Sequence, residues 1–468
     1  MKMLLKKLFS VECMVALKDR KGDLPSSKEI YSSFMKMAWP SALESVLVGL
    51  VGTIDTIMVG GIGAQAIAAV GITNQPKFIL LAMIFSLNVG VTAIVARRKG
   101  ENDYHGANSC LKQCLIISLV LSFIMAILGF VFAKPILLFA GAKSDYIGYA
   151  IAFFRILMIS IVFTSISLTI NAAQRGAGNT KISLRTNLCA NTVNLILNFF
   201  LINGIWFFPK LGVQGAAIAT VIGSMVGCTL SIRSLFYRAE FLEMKSKTSW
   251  KFDKKTIKGI ISISGSAMVE QVFMRIGFFT YAKIVAGLGM IAFATHQICM
   301  NIINISFSFG DGLAVSASSL VGQSLGAKRP DLARIYGKTG QRISFGISTV
   351  LFLIFVFARK FLVGLFSSDP QIIALGAIIM IIIAFTTHIQ TSQVVVSGCL
   401  RGAGDTKFVA LTSFISVAVI RPLLSWVLCF PCGWGLIGAW IGLFIDQAMR
   451  LLLNFARFNS GKWTKIKV

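Results

Sequence analysis

Twelve apolar stretches recur along the chain, and each is close to the roughly 20 residues needed to cross a bilayer as a helix. No other feature constrains the fold as much. Backbone polar groups in hydrocarbon must be satisfied within their own segment, so runs of this length imply helices. Polar residues are too scarce to cover a soluble core: 56% of the 468 residues are hydrophobic and 13% charged. The mean hydropathy of +0.79 agrees. The expected class is therefore an all-α integral membrane protein.

The expected spans are 34–59, 76–96, 109–133, 146–173, 183–206, 211–236, 257–282, 289–323, 339–366, 371–399, 408–430 and 434–456. The stretch 289–323 is long enough to project beyond the hydrocarbon. Residues 3–17 are only partly apolar, are interrupted by Lys6, Lys7 and Glu12, and lack a small-residue cleavage site. They read as an amphipathic interfacial stretch before the first span.

A net charge of +27 would suit a nucleic-acid binder, but the positions of the basic residues exclude one. With the N-terminus placed in the cytoplasm and helix-end residues assigned to the nearest side, 35 of the 45 Lys and Arg residues fall in the tails and the even-numbered loops. Seven fall on the opposite side, and Arg155, Arg275 and Arg421 lie within spans. That bias predicts cytoplasmic termini and an even number of spans in the cytoplasmic (inner) cell membrane. The nine cysteines lie mostly in apolar segments and read as membrane hydrophobes. Cys429 and Cys432 make one CxxC, and the scattered His105, His296 and His388 do not complete a zinc site. No metal site and no cofactor are expected.

An internal repeat fixes the organisation. Arg175-Gly-Ala-Gly-Asn-Thr-Lys181 returns as Arg401-Gly-Ala-Gly-Asp-Thr-Lys407, 226 positions later. The same offset maps Gly100 onto Gly326, Ala107 onto Ala333, and Gly61, Ala66 and Ala68 onto Gly287, Ala292 and Ala294. Near the end of each half, Gly212, Gly215 and Ala216 match Gly435, Gly438 and Ala439. The architecture is two parallel six-helix repeats, a transporter plan with the substrate site between the halves. The expected parts are a cytoplasmic segment 1–33, an N-terminal lobe 34–238, a linker 239–256, a C-terminal lobe 257–456 and a tail 457–468. The repeated loops lack the spacing of a phosphate-binding loop and read as tight helix-to-helix turns.

Ionisable residues at membrane depth are costly and mark function. Asp55 lies toward the outer end of the first span and Glu270, followed by Gln271, in the middle of the seventh. Asn191, Asn194 and Asn198 share one face of the fifth span, which implies burial against protein or a water-filled cavity. Asp446 and Arg450, four apart on one helix, read as a structural pair. Arg421, just before Pro422, pairs with an acid or caps a bend. Glu44 snorkels from the inner end of the first span, and Asp311 faces a cavity. Asp55, Asn194 and their neighbours offer oxygens for a Na⁺ ion; a lone glutamate in an apolar cavity suits a proton.

The motifs Val51-Gly-Thr-Ile-Asp-Thr-Ile-Met-Val-Gly60, Ala66-Ile-Ala-Ala-Val70, Leu211-Gly-Val-Gln-Gly-Ala-Ala-Ile-Ala-Thr220, Val321-Gly-Gln-Ser-Leu-Gly326 and the two repeated loops together resemble the MATE (multidrug and toxic compound extrusion) family over residues 30–457. The resemblance implies two six-helix lobes around a central cavity and alternating access. It also implies export of cationic amphipathic drugs or toxic metabolites by antiport with H⁺ or Na⁺. It places Asp55, Asn194 and Glu270 at acidic and polar positions of the family. Asn198 and Gln390 stand where some members carry aspartates, and the balance then leans toward H⁺. A monomer suffices, because one chain holds both halves. A lipid-linked precursor flippase of the same superfamily is the alternative, and would need a basic cluster among the cavity helices. An enzyme would need paired catalytic groups at one depth, and none converge.

Overall fold

The computed structural model describes residues 10–205, 208–237, 241–248 and 250–466. Lys6, Lys7 and the rest of 1–9, part of the 239–256 linker and the last two residues of the 457–468 tail lie outside the described residues. Those described form twelve long helical stretches and no strand. They are α1 (Ser27–Gly60), α2 (Ala64–Gly100), α3 (Tyr104–Val131), α4 (Ile147–Gly176), α5 (Thr180–Asn203) and α6 (Gly212–Tyr237), then α7 (Lys254–Ala286), α8 (Met290–Gly326), α9 (Pro330–Phe357), α10 (Pro370–Gly402), α11 (Thr406–Cys429) and α12 (Gly435–Ser460). Ten are long and apolar enough to cross a membrane. The other two, α5 and α7, carry the asparagine series and the Glu270–Gln271–Arg275 group, which lowers their hydropathy.

Several helices overrun the apolar runs that announce them. Hydropathy marks the depth of the hydrocarbon, whereas a helix continues until its backbone is capped. α1 starts seven residues before its expected span and carries Pro40 inside it. α2 begins at Ala64 and passes through Pro76, which the sequence reading made a helix start. Membrane helices tolerate an internal proline because neighbours re-satisfy the freed carbonyl. α9 begins at Pro330, the favoured first-turn position for proline, and ends at Phe357, well before the expected 366. A short helix, Arg359–Gly364, takes up the remainder. Within α11, residues Phe414–Ile420 form a π-helical turn just before Arg421 and Pro422. The wider turn accommodates a proline that can neither donate to nor clear the preceding turn.

The repeat is visible in the backbone. Ala64 and Met290, Tyr104 and Pro330, and Thr180 and Thr406 each begin equivalent helices 226 positions apart. Both repeated loops close in the same way. Asn179 N–H donates to the Gln174 carbonyl and Asp405 N–H to the Leu400 carbonyl, each at 2.8 Å. Gly178 and Gly404 adopt φ of 94° and 87°, a region that favours glycine. The glycine before each loop is a crossing point. A Cβ on Gly176 would lie 2.7 Å from the Thr92 carbonyl oxygen, and one on Gly402 would run into the equivalent Ser318 backbone. Gly402→Ala is therefore expected to cost about 1–3 kcal/mol or more, because backbone must move to admit the methyl. Gly265→Ala, with nothing within 4 Å of its Cβ, is the control. Thermal unfolding of the detergent-solubilised protein, followed by size exclusion, should show a lower midpoint for the first and an unchanged one for the second.

By packing, the chain divides into two units, one holding Leu43–Ser264 and the other Met1–Ala42 with Gly265–Val468. These differ from the expected lobes 34–238 and 257–456 at both boundaries, and for the same reason. The first helix of each half starts on one unit and ends in the other. In α1, Phe34, Met37 and Ala38 pack with Leu313, Ala317 and Val395 of the second unit. In α7, Ser264 lies against Gly90 of the first.

The described part of the N-terminal segment packs on protein. Val11, Met14 and Val15 form a small core with Ile30 and Ile335. Lys338 donates to the Met14 carbonyl, Lys21 N–H to Asp331 at 3.1 Å, and Arg329 to the Asp23 carbonyl at 3.0 Å. The Asp331 carboxylate beside Arg329 holds that guanidinium above its ordinary value. In the first unit, buried Lys112 donates to the Ser246 and Thr248 carbonyls at 2.8 and 3.0 Å, tying the described part of the linker to α3.

Candidate functional site

Each unit holds its own set of buried polar residues. In the unit Leu43–Ser264, α1 presents half-buried Asp55 to the polar face of α5. Asn198 Nδ2 donates to Asp55 Oδ1 at 2.7 Å. With its amide turned as the hydrogen-bond network requires, Asn194 also donates to Asp55, at 3.2 Å, and accepts from the Thr220 hydroxyl and N–H of α6. Asp55 is thus served by two amide N–H groups while the oxygen of Asn194 faces α6. Lys77 of α2 is within electrostatic reach of the same carboxylate. The spacing of four along α5 puts Asn194 and Asn198 on one face.

Nearer the start of α1, the same unit holds Glu44, only 7% exposed. Its Oε1 accepts from Arg175 at 3.2 Å, from Ser183 at 2.8 Å and from Asn187 at 2.5 Å. The expectation that Glu44 snorkels to water is wrong: Arg175, first residue of the repeated loop, reaches back and pairs with it.

In the unit that includes Gly265–Val468, α7 carries Glu270, 2% exposed. Its Oε1 accepts from Arg401 at 2.5 Å and from the Ser413 hydroxyl at 3.4 Å. Arg401 is the first residue of the second repeated loop. Glu44 and Glu270 are also 226 apart, so both halves repeat one arrangement, a glutamate on the first helix bonded to the loop arginine. The offset that pairs the glycines of the two halves also pairs these glutamates, an equivalence the reading of glycines and apolar runs missed. Gln271 is half-buried beside Glu270. A groove of about 330 Å³, lined by Ser266, Val269, Phe273, Ala410 and Leu411 among others, runs between α7 and α11 next to this pair.

Gln390 on α10 is fully buried and accepts from the Ser306 hydroxyl of α8 at 3.1 Å. It makes a pair of its own. Asp446 and Arg450 do not form the expected i, i+4 pair. Asp446 Oδ2 is held by Arg421 from α11, with Nε at 2.9 Å and Nη2 at 2.5 Å. Arg450 turns instead to Gln447 Oε1 at 3.1 Å and to the Met274 sulfur. The π-helical turn before Pro422 carries Arg421 into the unit's interior, where its guanidinium also lies 4.8 Å over the Phe278 ring. A planar fork that binds a carboxylate side-on outcompetes a same-helix neighbour.

Comparison with known proteins bears on the family and the fold. The MatE family model matches residues 40–200 and 266–427, one stretch in each half. The chain is 28% identical over 449 residues to a probable multidrug resistance protein NorM of Thermotoga maritima, covering 95% of this chain and 96% of that one. Among solved structures, an outward-facing multidrug resistance MATE family transporter of the MOP superfamily superposes with a TM-score of 0.86 at 20% identity, covering 92% and 97% of the two chains. A MOP superfamily transporter from Pyrococcus furiosus, described as having a binding pocket of reverse polarity that suggests a different function, gives 0.87 at 20% identity over 98% and 99%.

Proposed function

Because the chain belongs to the MatE family of transporters, we propose that it exports cationic amphipathic compounds in exchange for an inward-moving H⁺ or Na⁺ by alternating access of its two lobes. The observation that carries this reading is Glu270, a carboxylate buried in the middle of a membrane helix. Such a group attracts a lipophilic cation and releases it on neutralisation. The Thermotoga relative, named a probable multidrug resistance protein, supports the substrate class. A place in the cytoplasmic membrane with both termini inside fits the distribution of Lys and Arg, and a monomer fits one chain that holds both halves. No enzymatic step enters the reading, and the protein requires no cofactor beyond the coupling ion.

The amide groups around Asp55, as they are turned, argue against a sodium ion there. Na⁺ would need oxygens, and both Asn194 and Asn198 turn N–H toward the carboxylate. The lipid-linked precursor flippase needs spare positive charge for a pyrophosphate. Arg421, which is buried, and the part-exposed Arg175 and Arg401 are each neutralised by a carboxylate, which argues against it.

Expression in a pump-deficient bacterium tests the function. Resistance to ethidium and other lipophilic cations should rise several-fold over the empty vector, and an unchanged panel would remove the export reading. Topology has its own test. Cys110 is fully buried and useless as an inside marker, whereas Cys13 and Cys432 are exposed. In single-cysteine variants of intact cells, an impermeant maleimide should label Cys432 and spare Cys13. The reverse pattern would invert the orientation.

A further inference from the structure

The repeated loops raise a question that a tight turn alone does not answer: why both begin with arginine. In the first half, the glutamate that meets this arginine is bonded through one oxygen, its Oε2 having no hydrogen-bond partner. Glu44 Oε1 takes three donors, from Arg175, Ser183 and Asn187. In the second half, the position equivalent to Asn187 is Ser413, whose contact with Glu270 is longer, at 3.4 Å. Glu270 therefore depends on Arg401 far more than Glu44 depends on Arg175.

The second half also has an acid that the first lacks. Asp311, on the exposed face of α8, occupies the position held by Phe85 in the first repeat. It lies within electrostatic reach of Arg401. Helix register explains how. α8 and α10 are packed through glycines, Gly398 with its Cβ position 2.6 Å from the Ala314 oxygen and Gly402 against Ser318. Arg401 is thus level with residue 317, six residues or about 9 Å along the axis from Asp311. Its side chain leans toward the N-terminus of its own helix, which is the direction of Asp311. Its Nε lacks a partner, and its side chain is 29% exposed while that of Glu270 is 3% exposed. One guanidinium accordingly has two carboxylates within electrostatic reach, one buried and one exposed.

We infer that Arg401 is a movable counter-ion shared by Glu270 and Asp311, and that a cationic substrate reaches Glu270 when Arg401 shifts to Asp311. This rests on the export reading and adds two positioning residues to it. With Arg401 on Glu270, the carboxylate is neutralised and has no net attraction for a cation. Transfer to Asp311 frees one negative charge at the substrate position without exposing an unpaired arginine. Neither residue needs to touch the substrate.

The test is equilibrium binding of tetraphenylphosphonium to the purified full-length protein at a fixed, mildly alkaline pH. Arg401→Gln should bind about tenfold more tightly, a change of about 1.4 kcal/mol, while export slows because release is impaired. Asp311→Asn should bind more weakly, because Arg401 has nowhere to go. The double variant should bind like Arg401→Gln alone, since Asp311 acts only through the arginine. A double variant weakened as much again as Asp311→Asn would put Asp311 in direct contact with the cation and overturn the inference. So would an Arg401→Gln protein that is folded and binds no more tightly than wild type. If Arg401→Gln does not fold, Asp311→Asn decides: unchanged affinity rejects the shared counter-ion. A wild-type protein that neither binds nor exports the cation removes the export reading. The counter-ion is then judged by whether Arg401→Gln acquires binding, which supports it, or does not, which rejects it.

Discussion

Export of lipophilic cations should fall to the vector background when Glu270 is replaced by Gln, with the protein still present in the membrane. Gln keeps the shape and the capacity to accept from Ser413, so the change isolates the charge. Two unit charges about 4 Å apart interact by about 4 kcal/mol at the effective dielectric of a partly wet protein site. Losing that attraction corresponds to about three orders of magnitude in affinity. Arg401, part-exposed and within reach of Asp311, is not stranded by the substitution, so folding survives. Drug susceptibility, with membrane expression measured by blot, reads the outcome. Full resistance in the Glu270→Gln strain would take this carboxylate out of the mechanism.

A second large effect concerns stability. Arg421 is 1% exposed and Asp446 0% exposed, and the two share a close pair of hydrogen bonds. Removing one member of a buried pair leaves the other charged, dry and unpartnered, at a cost of about 3–5 kcal/mol. Asp446 Oδ1 already has no hydrogen-bond partner. Arg421→Ala should therefore lower expression and the thermal midpoint sharply. The double variant Arg421→Ala with Asp446→Ala should recover much of the loss, because neither charge is then stranded. Arg450→Ala should cost less than Arg421→Ala, since Arg450 bonds Gln447 rather than the carboxylate. Equal midpoints for wild type and Arg421→Ala would contradict the pairing seen here.

What could be read from the sequence follows the physics of the bilayer. Apolar runs located every long helix because hydrocarbon admits few alternatives. They missed the ends of α1, α2 and α9, because those ends lie where water is available and hydropathy no longer discriminates. The repeat was legible residue by residue and predicted two identical turns, Gly178 and Gly404 included. It also contained the Glu44–Glu270 correspondence, which becomes visible only when polar residues are aligned with the same offset as the glycines. The partner of Asp446 was out of reach for another reason. Same-helix spacing favoured Arg450, whereas the actual partner arrives from α11 through a π-helical turn that no periodicity announces. The docking of Val11 and Met14 onto Ile335 joins residues more than 300 positions apart, a contact that depends on how α1 and α9 are packed.

The central claim is ion-coupled export centred on Glu270, and vesicle transport tests it most directly. Everted membrane vesicles containing the protein are loaded with an imposed pH gradient, acidic inside, in sodium-free buffer, and uptake of tetraphenylphosphonium is followed. The account predicts accumulation that collapses when the gradient is dissipated and is absent from Glu270→Gln vesicles. Accumulation driven only by an imposed sodium gradient at equal pH, and unaffected by Glu270→Gln, would contradict it and move the coupling to the oxygens around Asp55 and Asn194.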